Sequence, residues 1–129
     1  MGHTNSAVCL KCKSKFHVEH DGGFTFHLLR CATCGATTVV PFDKITDLHN
    51  GYLKGLSGPY CGATAERDRQ IQQTFKGKPI SERKYYQEIE KRSTPCKCGG
   101  KFTFAAPPRC PKCRSLRIKE STEPMEEYD

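Results

Sequence analysis

Nine cysteines punctuate this 129-residue chain: Cys9, Cys12, Cys31, Cys34, Cys61, Cys96, Cys98, Cys110 and Cys113. Eight form four close pairs, three spaced Cys-x-x-Cys and one, 96/98, spaced Cys-x-Cys, while Cys61 stands alone. Two cysteines on a tight turn can aim both sulfurs at one ion, and two such turns complete a tetrahedron of thiolates. Zn²⁺ suits that shape because it has no d-electron geometric preference and is soft enough for sulfur. Sequence neighbours are expected to share a site. Cys9/Cys12 would join Cys31/Cys34 across 18 residues, and Cys96/Cys98 would join Cys110/Cys113 across 11. The expectation is two zinc ions per chain, with Cys61 an idle or buried thiol. Iron is the lesser alternative, since a tetrahedron of sulfurs does not by itself exclude it.

Disulfides are the other use for paired cysteines, and compartment separates the two. The opening "MGHTNSA" has no apolar core, so no secretory signal is expected, and no run approaches the roughly 20 apolar residues of a membrane span. The expected setting is therefore cytoplasmic, with reduced thiols and no membrane partner. Only 36% of the chain is hydrophobic and there is no Trp. A chain so short and polar buries little apolar surface, which makes metal staples a structural need.

The segments between the pairs read as strands. In "KFHVEHDGGFTFHLLR" (15–30), a hairpin loop at Asp21-Gly22-Gly23 would set Val18 opposite Phe26 and Phe16 opposite Leu28. That collects Phe16, Val18, Phe24, Phe26 and Leu28 on one face, with His17 and His27 opposite each other on the other. "ATTVVPF" (36–42) reads as a third strand. Near the end, "KFTF" and "SLRIK" read as a second hairpin, with Phe102 and Phe104 sharing a face with Leu116 and Ile118. Both halves resemble zinc ribbons of the rubredoxin-like family. "CATCG" (31–35) and "CPKC" (110–113) match the family's knuckles well, "CLKC" (9–12) more loosely. Lys13 and Arg114 stand where the family favours Gly, and "CKCGG" (96–100) has one residue fewer between its cysteines. The resemblance implies fold and metal, and says almost nothing of function.

The expected fold is a small metal-stabilised α+β protein with two four-cysteine zinc ribbons joined by a short helical segment. The expected divisions are an N-terminal ribbon (1–45), a Gly-rich linker (46–63), a helical segment (64–93), a C-terminal ribbon (94–118) and an acidic, disordered tail (119–129). The helices should span about 64–76 and 82–92, the second capped by Ser81. Their tyrosines are expected to pack rather than to stack on bases.

Net charge is +7, but each zinc with four thiolates carries −2, which leaves about +3. Residues 94–118 contain Lys97, Lys101, Arg109, Lys112, Arg114 and Arg117 and no acid. The leading expectation is therefore a zinc module that binds nucleic acid through the basic C-terminal ribbon. A protein-interaction or assembly module is the alternative, and a metal-handling or electron-transfer protein the third. The histidines form no metalloprotease pattern, and there is no P-loop, dinucleotide fingerprint or nucleophile elbow. No enzymatic activity and no small-molecule substrate are expected.

Overall fold

The computed structural model describes residues 2–123 and the backbone of 126–128. The chain divides into two compact units: residues 1–40 with 93–129, and residues 41–92.

The first unit is a pair of sheets. Strand β1 (Gly2–Cys9) pairs antiparallel with β2 (Lys15–His20). The turn that joins them is the first cysteine knuckle. On its other edge β1 pairs with β6 (Ile118–Glu120) and β7 (Glu126–Tyr128). The second sheet has the order β4-β3-β5, from Thr37–Pro41, Phe26–Cys31 and Phe102–Thr103.

Three expectations fail in this unit. The 15–30 hairpin does not form: β2 and β3 lie in different sheets, and β2 takes β1 as partner over six residue pairs, from His3–His20 to Val8–Lys15. The alternation predicted for β2 survives, with Val18 buried between exposed His17 and Glu19, but that for β3 shifts by one residue. His27, Leu29 and Cys31 face inward, because Cys31 points to the other cysteines of its cluster and side-chain parity along a strand carries Leu29 and His27 with it. His17 therefore sits opposite Ser6, while His27 is buried edge-on to Phe104. Phe102 and Ile118 likewise enter different sheets. The tail is the third correction, made over its described residues; 124, 125 and 129 lie outside them. Lys119 and Glu120 pair with Val8 and Ala7, and the backbone of 126–128 pairs with residues 2–4.

The apolar interior of this unit is small. Beyond the cysteines it consists, among the described residues, of Ala7, Val18, Leu29 and Ala106, too little to hold these strands without a further staple.

The second unit is helical: α1 (Thr46–Gly55), α2 (Ala65–Thr74) and α3 (Glu82–Arg92). The two expected helices are present, and Ser81 caps α3 by accepting the Lys84 N–H at its Oγ (3.3 Å). The linker reading of 46–63 is corrected in its first half by α1. Its glycines are packing sites. A methyl on Gly51 would stand 3.2 Å from Ile80 Cγ2, and one on Gly55 would stand 3.0 Å from the Ile80 carbonyl oxygen. The 78–80 strand of chain thus lies directly on the helix, and Ile80 N–H donates to the Gly51 carbonyl (3.0 Å). Burial of Leu48, Tyr52 and Leu53 outweighs the poor helix propensity of the glycines. The core is aromatic. Tyr52 and Tyr85 stack at 4.2 Å between ring centroids, and His49 stacks on Phe42 at 3.9 Å.

Candidate metal centres

Each knuckle is built by the same local hydrogen bonds. The first cysteine's N–H donates to a carbonyl just past the second, from Cys9 to Ser14 (2.9 Å), Cys31 to Ala36 (2.7 Å), Cys110 to Ser115 (3.0 Å) and Cys96 to Gly100 (2.9 Å). The residue after the second cysteine donates back, from Lys13 to Cys9, Gly35 to Cys31, Arg114 to Cys110 and Gly99 to Cys96. That residue has positive φ in all four, at 64° for Lys13, 80° for Gly35, 62° for Arg114 and 89° for Gly99. Lys13 and Arg114 adopt the left-handed backbone that glycine serves at the other two. The short 96/98 knuckle keeps the geometry with one residue fewer, because Gly99 turns and Gly100 lies flat against the opposing sulfur.

The eight cysteines form two tetrads: Cys9, Cys12, Cys110 and Cys113, and Cys31, Cys34, Cys96 and Cys98. The expected pairing of neighbouring knuckles is overturned. The first knuckle joins the fourth and the second joins the third, so one site is nested inside the other along the chain. Strand pairing decides this. Leu10 N–H donates to the Arg117 carbonyl (2.8 Å) beside the Cys9–Ile118 pair. Ala32 N–H donates to the Lys101 carbonyl (3.0 Å) beside the Cys31–Phe102 pair. Two separate ribbons at 1–45 and 94–118 therefore do not exist; each site draws on both. Cys61 lies outside both tetrads, its Sγ 3.1 Å from Thr64 Oγ1.

The residues fit a thiophilic tetrahedral ion. Sulfurs are 3.5 Å apart in Cys9–Cys113, Cys12–Cys110 and Cys31–Cys98 and 3.6 Å apart in Cys34–Cys96. A tetrahedron with Zn–S of about 2.3 Å has edges of about 3.8 Å, whereas a disulfide is about 2.05 Å. Backbone N–H groups point at the sulfurs, as from Cys12 to Cys9 (3.4 Å), Thr33 to Cys31 (3.4 Å) and Gly100 to Cys98 (3.4 Å). Such donors favour thiolate. Hydrogen bonds from the Ser14 side chain and backbone bring Cys12 down to about 6. Burial raises Cys31, but N–H groups of Cys34 and Thr33 outweigh it and bring it to about 6. At Cys113 the Ser115 N–H acts downward, yet burial and the sulfurs of Cys9, Cys110 and Cys12 push it up to about 11. Four sulfurs this close cannot all ionise without a cation, which a divalent metal supplies.

The six basic residues of 94–118 are divided by the nested pairing. Lys97 and Lys101 are exposed beside the Cys31 tetrad, and Lys112, Arg114 and Arg117 are exposed beside the Cys9 tetrad. Arg109 is half-buried and structural: its Nε donates to Ala32 O (3.1 Å) and its Nη1 to Arg114 O (3.0 Å). It thereby ties the second knuckle to the fourth. Sequence reasoning missed the three lysines that the same pairing adds to the Cys9 tetrad, Lys11, Lys13 and Lys15, all exposed. Their alternation in "KCKSK" was the available signal.

No helix is long and apolar enough to cross a membrane among the described residues. No curated protein and no solved structure matches the chain. A family model described as "Domain of unknown function (DUF8255)" matches residues 5–119, from ahead of the first knuckle to beyond the fourth, and the chain belongs to that family.

Proposed function

We propose that the protein is a non-enzymatic zinc module that binds nucleic acid at the pole around the Cys9–Cys12–Cys110–Cys113 tetrad. One observation carries this reading: the nested pairing gathers cations that the sequence holds far apart. Segments 9–18 and 105–119 contain Lys11, Lys13, Lys15, Arg109, Lys112, Arg114, Arg117 and Lys119 and no acid. Less 2 for the loaded tetrad, this pole keeps about +6. Segments 30–36 and 96–103, around the other tetrad, hold Arg30, Lys97 and Lys101, or about +1 when loaded. Phosphate backbones are the extended anions that such a surface suits.

Zinc is the metal proposed. Cys12 is exposed, and a redox-inert ion tolerates a solvent-facing thiolate. The metal's role is structural. Cys9, Cys31 and Cys110 are fully buried, and both sites stand at the ends of paired strands, which suits a staple better than a site of delivery.

A protein partner is the second reading, favoured by Leu10 and Leu116, 45% and 51% exposed at the same pole. Binding of a labelled oligonucleotide across a salt series separates the two. Changing Lys112, Arg114 and Arg117 to Gln should reduce the log–log salt slope by about 0.7 to 0.9 per lost phosphate contact. A metal-loaded protein that shows no salt-sensitive binding at low ionic strength sinks the nucleic-acid reading and leaves the protein-partner one.

A further inference from the structure

The β2-β1-β6 sheet has an outward face that the metal sites do not use. Along β1 the inward residues are Asn5, Ala7 and Cys9, and the outward ones are Thr4, Ser6 and Val8. Register then fixes what stands beside them. Val8 lies between Lys15 on β2 and Lys119 on β6, and Ser6 lies opposite His17, with Ser121 N–H donating to the Ser6 carbonyl (2.8 Å). A cleft of about 570 Å³ covers these residues, within the roughly 300–1,000 Å³ of small-ligand sites. Lys15, His17 and Lys119 are exposed at its walls, and Val8 is half-buried at its floor. Of the acids here, Glu120 lines the cleft but its carboxylate meets His20 Nε2 (2.6 Å) and accepts from Asn5 Nδ2 (3.2 Å) on the inner face, and Glu19 stands on the outward face one step beyond His17, opposite Thr4. Neither Lys15 nor Lys119 has an acidic partner among the described residues.

We infer that this cleft is a nucleotide site, with a phosphate held between Lys15 and Lys119 and the sugar or base laid over Val8 and the lysine stems. Two strand spacings separate the lysine backbones, about 9.6 Å, and long flexible side chains close that gap over one phosphate group. An apolar floor with cationic walls suits a ligand that is part ring and part anion. Ser6, Ser121 and His17 supply hydroxyl and ring-nitrogen partners to its polar edges. The cleft adjoins the first knuckle, so a strand held at the pole could continue across it. The inference deepens the nucleic-acid reading but also admits a free nucleotide, because both sources present the same phosphate and ring.

The test is amide chemical-shift mapping of the metal-loaded, full-length protein with three probes: inorganic phosphate, thymidine monophosphate and a short oligothymidylate. Expected are shifts at Val8, Lys15, His17 and Lys119 with all three, phosphate binding weakest. K15Q and K119Q should each weaken the mononucleotide about tenfold, while K84Q, at an exposed position of α3, should not. Mononucleotide binding here without oligonucleotide binding supports the cleft and rejects the strand reading. Oligonucleotide shifts confined to 112–117, with Val8 and Lys119 unmoved, overturn the cleft and leave the pole standing. Silence with every probe overturns both.

Discussion

Gly100 lies flat against Cys31: a methyl added to it would stand 2.5 Å from the Cys31 sulfur and 2.7 Å from Thr33 Oγ1. No real Cβ tolerates that approach, and neither the ligand nor the knuckle behind it can retreat without opening the tetrad. Gly100→Ala should therefore disable the Cys31 site alone. Native mass spectrometry should find one metal per chain instead of two. Gly58→Ala, whose added methyl meets open space, should keep both.

The nested pairing makes a sharper demand. A fragment of residues 1–45 holds Cys9 and Cys12 from one site and Cys31 and Cys34 from the other, so it contains neither tetrad. It should stay unfolded with zinc, with a collapsed amide NMR spectrum. A chain joining 1–40 to 93–129 through a flexible linker keeps all eight ligands and should bind two ions with dispersed amides. If the 1–45 fragment folds around one zinc, the nested arrangement is wrong.

What was legible in the sequence was local. Cysteine spacing marked all four knuckles, because a knuckle is a turn closed within six residues. The eight gathered cysteines and the two later helices followed from such short-range signals. Pairing of the knuckles was not legible, because it rests on strand contacts between residues more than 65 positions apart, such as Cys31 with Phe102. The partner of β2 was hidden for a related reason. "GHTNSAV" is too polar to announce a strand, while Asp-Gly-Gly advertised a hairpin. There Asp21, at φ 63°, and Gly22, pressed on the Phe26 carbonyl, move the chain from one sheet to the other. Helix α1 was masked by glycines whose purpose is to admit Ile80.

Arg109 should couple the two centres. Its two donations join Ala32, in the Cys31 site, to Arg114, in the Cys9 site. Arg109→Gln cannot span both carbonyls. We expect a loss of about 1–2 kcal/mol of unfolding free energy. Metal affinity should fall at both sites in that one variant, read by displacement of Co²⁺ followed through its visible absorption. Lys97→Gln, a neighbouring exposed cation, should change neither. A weakening confined to one site would show that Arg109 serves a single knuckle.

The helical unit carries an acid sensitivity of its own at His49. Burial holds this imidazole down to about 4, with the Asp68 charge opposing and Arg67 assisting. The ring is stacked on Phe42 and shares a 3.0 Å hydrogen bond through Nδ1 with the Tyr85 hydroxyl. An unfolded histidine titrates near 6.5. As pH falls, the unfolded chain therefore takes up a proton before the folded one does. The stabilisation is complete above about 6.5, declines between about 6.5 and 4, and declines no further below that, for a total on the order of 3 kcal/mol. Four of the five tyrosines, Tyr52, Tyr60, Tyr85 and Tyr86, lie in this unit and the chain has no Trp, so tyrosine emission reports its unfolding. Denaturant midpoints read this way should fall through that window. In His49→Gln the protein should start less stable and lose the part of the slope that His49 supplies, even where acid also loosens the metal sites. NMR of the His49 ring should show it neutral to about pH 4; a midpoint near 6.5 would mean that the ring is solvated and the acid loss arises elsewhere.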